Sequence, residues 1–387
     1  MKRLQLWFVL ALSAALCLLC ACRAAEAAAP EELPAAPIAS ALAEDESEAE
    51  AAPDGLVREA DGRVRYYENG APAELQPGVQ ELGGKAYYVR ADGGICDYQR
   101  CAAVMDDGNR YYFEDDCSLR SFPAGFAGLP DGVYYAEADG YALAGFSSGL
   151  AALDGALYAF DEDGRVMTFA AGAQEVFGKT YLVEEDGSAI ALHEPGLLLR
   201  ESGLYLVQDD GSLAVNVSEG YLRFGADGRY TSGNETLDAA VDALLLASGG
   251  VDTADPEESF RAAYSYLRDN YTYLSMDHQQ PGTTDWEEDC ALTFFDLGKG
   301  NCYCWAAAVS YCARRLGYQA YVVAGWESNP TNDHAWTMVD WPDGETYLFD
   351  AQLEYAYWYM FENKPKVDMF KASGDGMYYN GFAYYFP

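Results

Sequence analysis

The sequence predicts a multidomain protein in which an N-terminal all-β array of hairpin repeats precedes an α+β domain. The length of 387 residues is too great for one ordinary domain and fits two. Short runs rich in Tyr, each followed by Asp-Gly, recur through residues 54–232 with no helix-period pattern between them. Six of the seven Trp lie between Trp286 and Trp358, in the half where helical periodicity begins.

The composition is strongly acidic, with 24 Lys+Arg against 62 Asp+Glu and a formal net charge of -38. A nucleic-acid-binding face needs clustered Lys and Arg, so this balance argues against a nucleic-acid partner. It also argues against a polybasic attachment to anionic lipid. With 14 % aromatic residues, the chain is globular rather than disordered.

The first 22 residues have the pattern of a secretory signal peptide. Lys2 and Arg3 precede an apolar run that continues to Cys22. The run ends Leu19-Cys20-Ala21-Cys22, which resembles the lipobox of bacterial lipoproteins. That resemblance implies cleavage before Cys22, a diacylglyceryl thioether on it, and attachment to the outer face of the cytoplasmic membrane. Plain secretion and a retained membrane helix are the alternatives.

Residues 23–53 are predicted to be a tether. They are rich in Ala, Glu and Pro and contain no aromatic residue, so they cannot form a core. Repulsion between the acidic side chains extends such a segment, and Pro stiffens it.

Residues 54–232 are predicted to form stacked β-hairpins. Asp-Gly between apolar runs is a strong hairpin signal, because Gly accepts the positive φ of tight turns. Between Asp139 and Asp210 the pairs recur at intervals of 24, 23 and 24 residues, a period typical of stacked arrays. The Asp-Gly pairs that follow the Tyr-rich runs begin at Asp92, Asp139, Asp163, Asp186, Asp210 and Asp227.

These Tyr-rich hairpins resemble bacterial cell-wall-binding and choline-binding repeats. The resemblance implies a glycan or cell-wall partner. Those repeats usually carry Trp beside Tyr, whereas no Trp lies between Trp7 and Trp286, and a choline cage favours Trp. The alternative is that the tyrosines only pack the core and pair across strands.

Residues 233–387 are predicted to be the α+β domain. Asn234 caps a helix to about Leu246, Asp255-Pro256 opens a second helix, and a third runs from about Asn301 to Leu316. Residues 320–325, 335–341 and 346–350 are predicted strands, the last two joined by a turn at 342–344. Helices followed by antiparallel strands make an α+β domain.

Three residues of this half form a candidate catalytic group. Cys302 follows Gly300-Asn301 at a helix start, where the macrodipole and free N–H groups favour the thiolate. His334 begins one strand of the predicted hairpin and Asp350 ends the other, so an antiparallel pairing brings them side by side. Cys302 would attack an amide carbonyl, His334 would protonate the departing amine, and Asp350 would orient the imidazole.

The same residues resemble the transglutaminase-like superfamily. The ordered pieces are Gly300–Ala306, Arg315-Leu316-Gly317-Tyr318, Ala324-Gly325, His334-Ala335-Trp336 and Asp350. The resemblance covers roughly residues 255–355 and implies a papain-like, transglutaminase-like fold. It implies Cys302 as nucleophile, His334 as base and acid, and Asp350 as the orienting carboxylate. Tyr347 stands where the family often has Trp.

Several alternatives remain open on sequence alone. Cys304 competes with Cys302 as nucleophile, and both could be buried structural thiols. His193 lies in the repeats, and His278 is expected in a surface loop. The acidic residues 285–289 are expected to form a solvated loop rather than a calcium site. No zinc-ligand spacing appears, so neither a metal nor a cofactor is expected.

Cysteine usage permits disulfides but does not pair them. Without Cys17, Cys20, Cys22 and Cys302, the remaining cysteines are Cys96, Cys101, Cys117, Cys290, Cys304 and Cys312. Three lie in each domain, so at least one thiol per domain is free or a bridge crosses between them.

The sequence therefore predicts a surface-anchored, cysteine-dependent acyltransferase or peptidase that acts on peptide or protein amides. Hydrolysis is favoured over crosslinking, because no acceptor groove for Lys is recognisable and an open site admits water. The alternative is a non-catalytic adhesin in which the repeats bind the wall and the second domain is a scaffold.

Overall fold

The computed structural model describes residues 54–387. The predicted signal peptide, the lipidated Cys22 and the tether lie outside the described residues. Within residues 54–387, none of the helices is both long and apolar enough to cross a bilayer.

Residues 54–232 form short antiparallel strands without a helix, which confirms the all-β prediction. Four of the sheets are two-stranded hairpins, two have three strands, and one has five strands in the order β11-β12-β15-β14-β13. The strands are β1 (Gly55–Arg58), β2 (Val64–Glu68), β3 (Ala71–Pro72), β4 (Gly78–Leu82), β5 (Lys85–Val89), β6 (Cys101–Val104), β7 (Arg110–Phe113), β8 (Gly125–Leu129), β9 (Gly132–Ala136), β10 (Ala142–Leu143), β11 (Gly149–Leu153), β12 (Ala156–Phe160), β13 (Gly172–Val176), β14 (Lys179–Val183), β15 (Ala189–Ala191), β16 (Gly196–Arg200), β17 (Gly203–Val207), β18 (Val217–Glu219) and β19 (Leu222–Phe224).

The repeating Asp-Gly pairs do not occupy the hairpin turns, so that part of the prediction is wrong. The turn of the β13–β14 hairpin is Phe177-Gly178, with φ of 49° and 78°. The Asp186-Gly187 pair instead follows the second strand, where the Gly187 N–H donates to the Glu184 carbonyl at 3.0 Å. Both residues of a tight type I′ turn need positive φ, and Phe177 accepts it in place of the expected Asp or Asn.

After each Asp-Gly turn the chain reverses direction, and the residues that follow the turn contact the preceding hairpin. Leu213, just after Asp210-Gly211, bridges to Val207 of its own hairpin. Its N–H also donates to the Thr180 carbonyl of the hairpin before, at 2.7 Å. Ile95, Leu119, Val166 and Tyr230 make the corresponding bonds to Val64, Ala86, Val133 and Leu204. Hairpins that cannot bury their apolar faces alone therefore form a continuous array.

The C-terminal half contains helices and one five-stranded antiparallel sheet in the order β24-β23-β22-β26-β25. Each predicted helix and strand is present, with bounds shifted by a few residues. The elements are α1 (Glu235–Ser248), α2 (Pro256–Asn270), β20 (Thr272–Tyr273), α3 (Glu287–Leu297), β21 (Lys299–Gly300), α4 (Cys302–Arg315), β22 (Gln319–Glu327), β23 (Asp333–Asp340), β24 (Thr346–Phe349), α5 (Ala351–Tyr355), the π-helical segment Ala356–Met360, β25 (Tyr378–Tyr379) and β26 (Phe382–Tyr385).

Two local predictions of this half are wrong. The acidic residues 287–289 do not form a solvated loop, because they are the first turn of α3, where carboxylates suit the helix dipole. Glu287 is buried and pairs with Arg314 of α4 at 2.9 Å. Asp350 does not end a strand either: β24 stops at Phe349, and Asp350 is the N-cap of α5.

Helix α4 packs across the sheet and sets the position of the candidate site. All its residues are buried, and its side chains join the main hydrophobic core with those of α1, α2 and α3. The Thr337 hydroxyl of β23 donates to the Ala306 carbonyl of α4 at 2.8 Å. This bond fixes the start of α4 against the strand that carries His334.

The last hairpins of the array contact the helical half directly. The ring of Tyr221 stacks on Tyr321 of β22, with centroids 5.2 Å apart. The Tyr221 N–H donates to Oε1 of Gln319 at 2.7 Å. Buried Arg315 at the end of α4 donates to Asp242 at 2.7 Å and to the Glu201 carbonyl at 3.2 Å. These polar contacts hold the junction in a defined geometry.

Candidate active site

Cys302 is the first residue of α4, and it is buried. Asn301 caps the helix in an extended conformation, and its Oδ1 accepts from the Cys304 N–H at 3.4 Å. Gly300 precedes the cap. A Cβ on Gly300 would lie 2.5 Å from Cβ of Cys304, so a larger residue does not fit there. The Cys302 N–H lies in the first turn, where backbone donors have no intrahelical acceptor.

His334 is the second residue of β23, and its ring contacts the carboxylate of Asp350. In the β22–β23 register, His334 lies opposite Gly325. The His334 Nε2 lies 2.6 Å from Oδ2 of Asp350, and His334 lines the same cleft as Cys302. Because Nε2–H donates to the carboxylate, Nδ1 is the nitrogen left for the sulfur.

Three hydrogen bonds hold the Asp350 carboxylate. Its Oδ1 accepts from the Leu353 N–H of α5 at 2.8 Å, which is the N-cap bond. Its Oδ2 accepts from His334 and from the Tyr384 hydroxyl, the latter at 2.8 Å. Asp350 therefore both starts α5 and orients the imidazole.

The electrostatic environment favours a protonated His334. Burial by itself lowers the pKa of a histidine, but the Asp350 carboxylate and the interaction with Cys302 outweigh burial. The pKa of His334 therefore lies well above its ordinary value. This environment suits an imidazolium, which is the partner that activates a cysteine nucleophile.

A buried ion pair anchors α5 and so the position of Asp350. Glu354 lies four residues after Asp350, and its carboxylate pairs with Arg268 of α2. The Tyr264 hydroxyl donates to Glu354 at 3.1 Å, and the Met369 N–H donates to it at 2.8 Å. Fully hydrogen-bonded buried pairs of this kind define geometry more than they add stability.

The geometry separates the two candidate nucleophiles. Cys302 lines the cleft beside His334, whereas fully buried Cys304 lies beside Cys290 of α3. A hydrogen bond with Cys304 and burial raise the pKa of Cys290. Cys304 thus faces the α3–α4 interface. The seven cysteines of residues 54–387 are free, so the structure contains none of the permitted bridges there.

A cleft of about 440 Å³ opens above Cys302 and His334. Its two sides differ in chemistry. One is apolar and comes from the segment that follows α5, and the other is acidic and polar. The apolar side includes Ala356, Tyr357, Met360 and Phe361, and the other includes Glu327, Ser328, Asn332, Asp333 and His278.

His278 lies at the cleft rim, on the surface as expected. Its Nδ1 is 3.5 Å from Asp333 Oδ2, and its side chain is 45 % exposed. His193 is in the repeat region, where its Nε2 lies 3.2 Å from Arg200. Within residues 54–387, no group of three or more His, Cys, Asp or Glu is placed to hold a metal ion.

The sequence analysis missed the part of the site that follows Asp350. Tyr384 lies on β26, which pairs with β22 through Trp326–Tyr385 and Glu327–Tyr384. The run Phe382–Tyr385 is rich in aromatic residues and follows Asn380-Gly381, a hairpin signal that could have revealed the strand. Its contact with Asp350 depends on tertiary packing and leaves no local pattern.

The family profile described as the transglutaminase-like superfamily matches residues 247–351, a segment that contains Cys302, His334 and Asp350. No curated protein is similar to the chain in sequence.

Among solved structures, the chain is similar to choline binding protein F from Streptococcus pneumoniae, crystallised with a peptidoglycan analogue. The identity is 17 % and the TM-score 0.32, over 46 % of this chain and 58 % of that chain. The choline-binding domain of CbpL from Streptococcus pneumoniae is 20 % identical, with a TM-score of 0.24 over 46 % and 87 %. A TGase is 17 % identical, with a TM-score of 0.23 over 34 % of each chain.

Proposed function

We propose that the transglutaminase-like domain is a cysteine-dependent enzyme that cleaves amide bonds of peptides or proteins. The observation that carries the proposal is the 2.6 Å contact between His334 and Asp350, with Cys302 beside them in the lining of the same cleft. A scaffold domain has no need of a thiol, an imidazole and a carboxylate aligned at the floor of an open cleft.

In the first half-reaction, the Cys302 sulfur attacks the carbonyl carbon, a C–S bond forms and the π electrons move to oxygen. The tetrahedral intermediate then collapses, the C–N bond breaks, and His334 gives its proton to the leaving nitrogen. Asp350 keeps the imidazole oriented and stabilises its charged form.

In the second half-reaction, water attacks the thioester, its proton goes to His334, and the C–S bond breaks to release the acid. We propose hydrolysis rather than crosslinking because solvent reaches the cleft. The Asp333 side chain on its acidic wall is 39 % exposed. An acceptor amine would need to exclude that water to compete.

The activity is tested by incubation of the full chain with fluorescently labelled casein, with and without a small primary amine. Wild type should release new carboxyl termini, and Cys302→Ala and His334→Ala should not. Cys304→Ala is the matched control and should retain turnover. Cleavage that survives Cys302→Ala would contradict the proposal, and amine adducts in place of acids would identify a crosslinker.

We propose a second function for the repeat region: it binds cell-wall glycan. It is supported by a row of aromatic contacts across neighbouring hairpins. Phe126 is 42 % exposed and contacts Tyr135 and Tyr158, with centroids 5.1 and 4.6 Å apart. Exposed aromatic faces suit sugar rings. Full-length protein should sediment with purified wall, and Phe126→Ser should weaken the binding if these rings contact glycan.

We also propose that Cys22 carries a lipid that holds the enzyme at the outer face of the membrane. The proposal rests on the Leu19-Cys20-Ala21-Cys22 sequence. Incorporation of labelled palmitate into wild type, with none in Cys22→Ser, tests it. Equal incorporation into both proteins would contradict it.

A further inference from the structure

Tyr273 lies next to the nucleophile because two short strands pair before α4. Strands β20 and β21 are parallel, with Tyr273 opposite Gly300. The Leu274 N–H donates to the Gly300 carbonyl at 2.9 Å, which closes the pair. Gly300 is two residues before Cys302, so this register places Tyr273 at the N-terminal end of α4.

The Tyr273 side chain lines the same cleft as Cys302 and is half-buried. Among residues 54–387, no group forms a hydrogen bond with its hydroxyl. Burial, and then the negative charge of the Cys302 thiolate, raise the pKa of Tyr273. Its hydroxyl is therefore a neutral donor that faces the reaction space without a partner of its own.

Other donors in the cleft are less well placed. Ser328 and Asn332 donate to the Glu327 carboxylate. Tyr357 lies on the apolar side of the cleft, in the segment that follows α5. The His278 ring lies beside Asp333. Gln352 lies in α5, two residues after Asp350, and therefore on the side of the cleft that holds the imidazole. Tyr273 alone combines a free hydroxyl with a backbone position fixed to the turn before Cys302.

We propose that Tyr273 is a catalytic residue whose hydroxyl donates a hydrogen bond to the tetrahedral oxyanion, together with the Cys302 N–H. The inference rests on the proposed cysteine chemistry. When the C–S bond forms, the carbonyl π electrons become the charge on oxygen, and Tyr273 stabilises that charge while it keeps its proton. On collapse the C=O bond re-forms and the C–N bond breaks, so Tyr273 is unchanged.

The test compares two reagents at Cys302 in the full chain. Iodoacetamide alkylates the thiolate by displacement of iodide and makes no oxyanion. With a peptide aldehyde, the thiolate attacks the carbonyl carbon, a C–S bond forms and the π electrons move to oxygen, so the tetrahedral adduct carries an oxyanion. Tyr273→Phe should alkylate at the wild-type rate but bind the aldehyde about 100- to 1000-fold more weakly, because removal of one oxyanion donor costs on this order in turnover. Tyr378→Phe, an exposed residue outside the cleft, is the matched control and should match wild type in both assays.

Each other outcome contradicts the inference in a distinct way. Equal aldehyde affinity in Tyr273→Phe and wild type would show that the hydroxyl does not contact the oxyanion. A parallel fall in alkylation and aldehyde binding would make Tyr273 a structural residue. A wild-type chain that forms no aldehyde adduct at Cys302 would overturn the proposed function itself and the inference with it.

Discussion

His334 Nε2 and Asp350 Oδ2 lie 2.6 Å apart, although 16 residues separate them in the chain. The last register pair of the β23–β24 hairpin joins Thr337 to Phe349. Asp350 lies one residue beyond this pair, and His334 lies three residues beyond it on the other strand. The contact is therefore a product of hairpin register together with the start of α5. A slip of one residue in that register would turn the imidazole away from the carboxylate.

Asp350→Asn should lower amide turnover by a factor of about 10² to 10⁴, because an amide no longer stabilises the imidazolium and favours the wrong tautomer. Asn is also a good N-cap, so α5 should form and the protein should stay folded. Turnover and urea unfolding, measured on the same preparation, check both expectations. Turnover near the wild-type value in Asp350→Asn would remove the carboxylate from the mechanism.

Tyr384→Phe should have a smaller effect than Asp350→Asn. It removes the 2.8 Å hydrogen bond to Asp350 Oδ2 and leaves the contact with His334 in place. Loss of one such bond costs about 1 kcal/mol of unfolding free energy, or slightly more because the acceptor is charged. Denaturant unfolding and kcat/KM together measure this. A turnover loss as large as that of Asp350→Asn would mean that Tyr384 acts in the chemistry.

The free energy of unfolding should fall as the pH rises above neutrality. Burial opposes the charge on His334, but Asp350 and Cys302 raise its pKa well above the ordinary 6.5. A group whose pKa is raised on folding stabilises fully below its unfolded pKa, and the contribution is lost as the pH rises through the folded pKa.

Urea unfolding of wild type and His334→Gln between pH 6 and pH 9, flanking the unperturbed imidazole pKa of about 6.5, measures this difference. The stability advantage of wild type should shrink toward the alkaline end. Parallel curves for the two proteins would show that the imidazolium is not stabilised in the folded state.

Gly325→Ala should destabilise the protein by about 1 to 3 kcal/mol, the usual cost of overpacking a core. A Cβ at this position would lie 2.5 Å from the Tyr385 carbonyl oxygen and 2.8 Å from the Trp336 ring. The clash would push β26, and with it Tyr384, away from β22. Gly128→Ala is the matched control, since a Cβ there meets nothing within 4 Å. Equal unfolding midpoints for the two variants would contradict the close packing of β26 on β22.

The caps and turns of the C-terminal half could be predicted from the sequence because they depend on local chemistry. Asn234, Asp255 and Asn301 cap the three predicted helices through bonds to N–H groups a few residues away. The acidic residues in the first turn of α3 were wrongly predicted as a loop because their charge suggests solvent, whereas Glu287 is matched by Arg314 in the core. Such a pairing appears only when the helices pack.

Contacts between distant segments could not be predicted in the same way. In the repeats, residues that follow the turn after each hairpin bond to the preceding hairpin, as Leu213 does to Thr180, a relation between residues about thirty positions apart. Tyr384 meets Asp350 only because β26 joins the far side of β22. Tyr273 meets the cleft through a two-residue parallel strand, too short for any periodic pattern.

The proposed mechanism requires the Cys302 sulfur to form a covalent acyl intermediate with help from His334. The most direct measurement is the mass of the full chain, quenched within milliseconds of mixing with a peptide p-nitrophenyl ester, followed by mapping of the modified residue. We expect one acyl group on Cys302 in wild type and in Cys304→Ala, and none in Cys302→Ala. An acyl group on Cys304, or a folded wild-type chain that never acquires one, would contradict the claim.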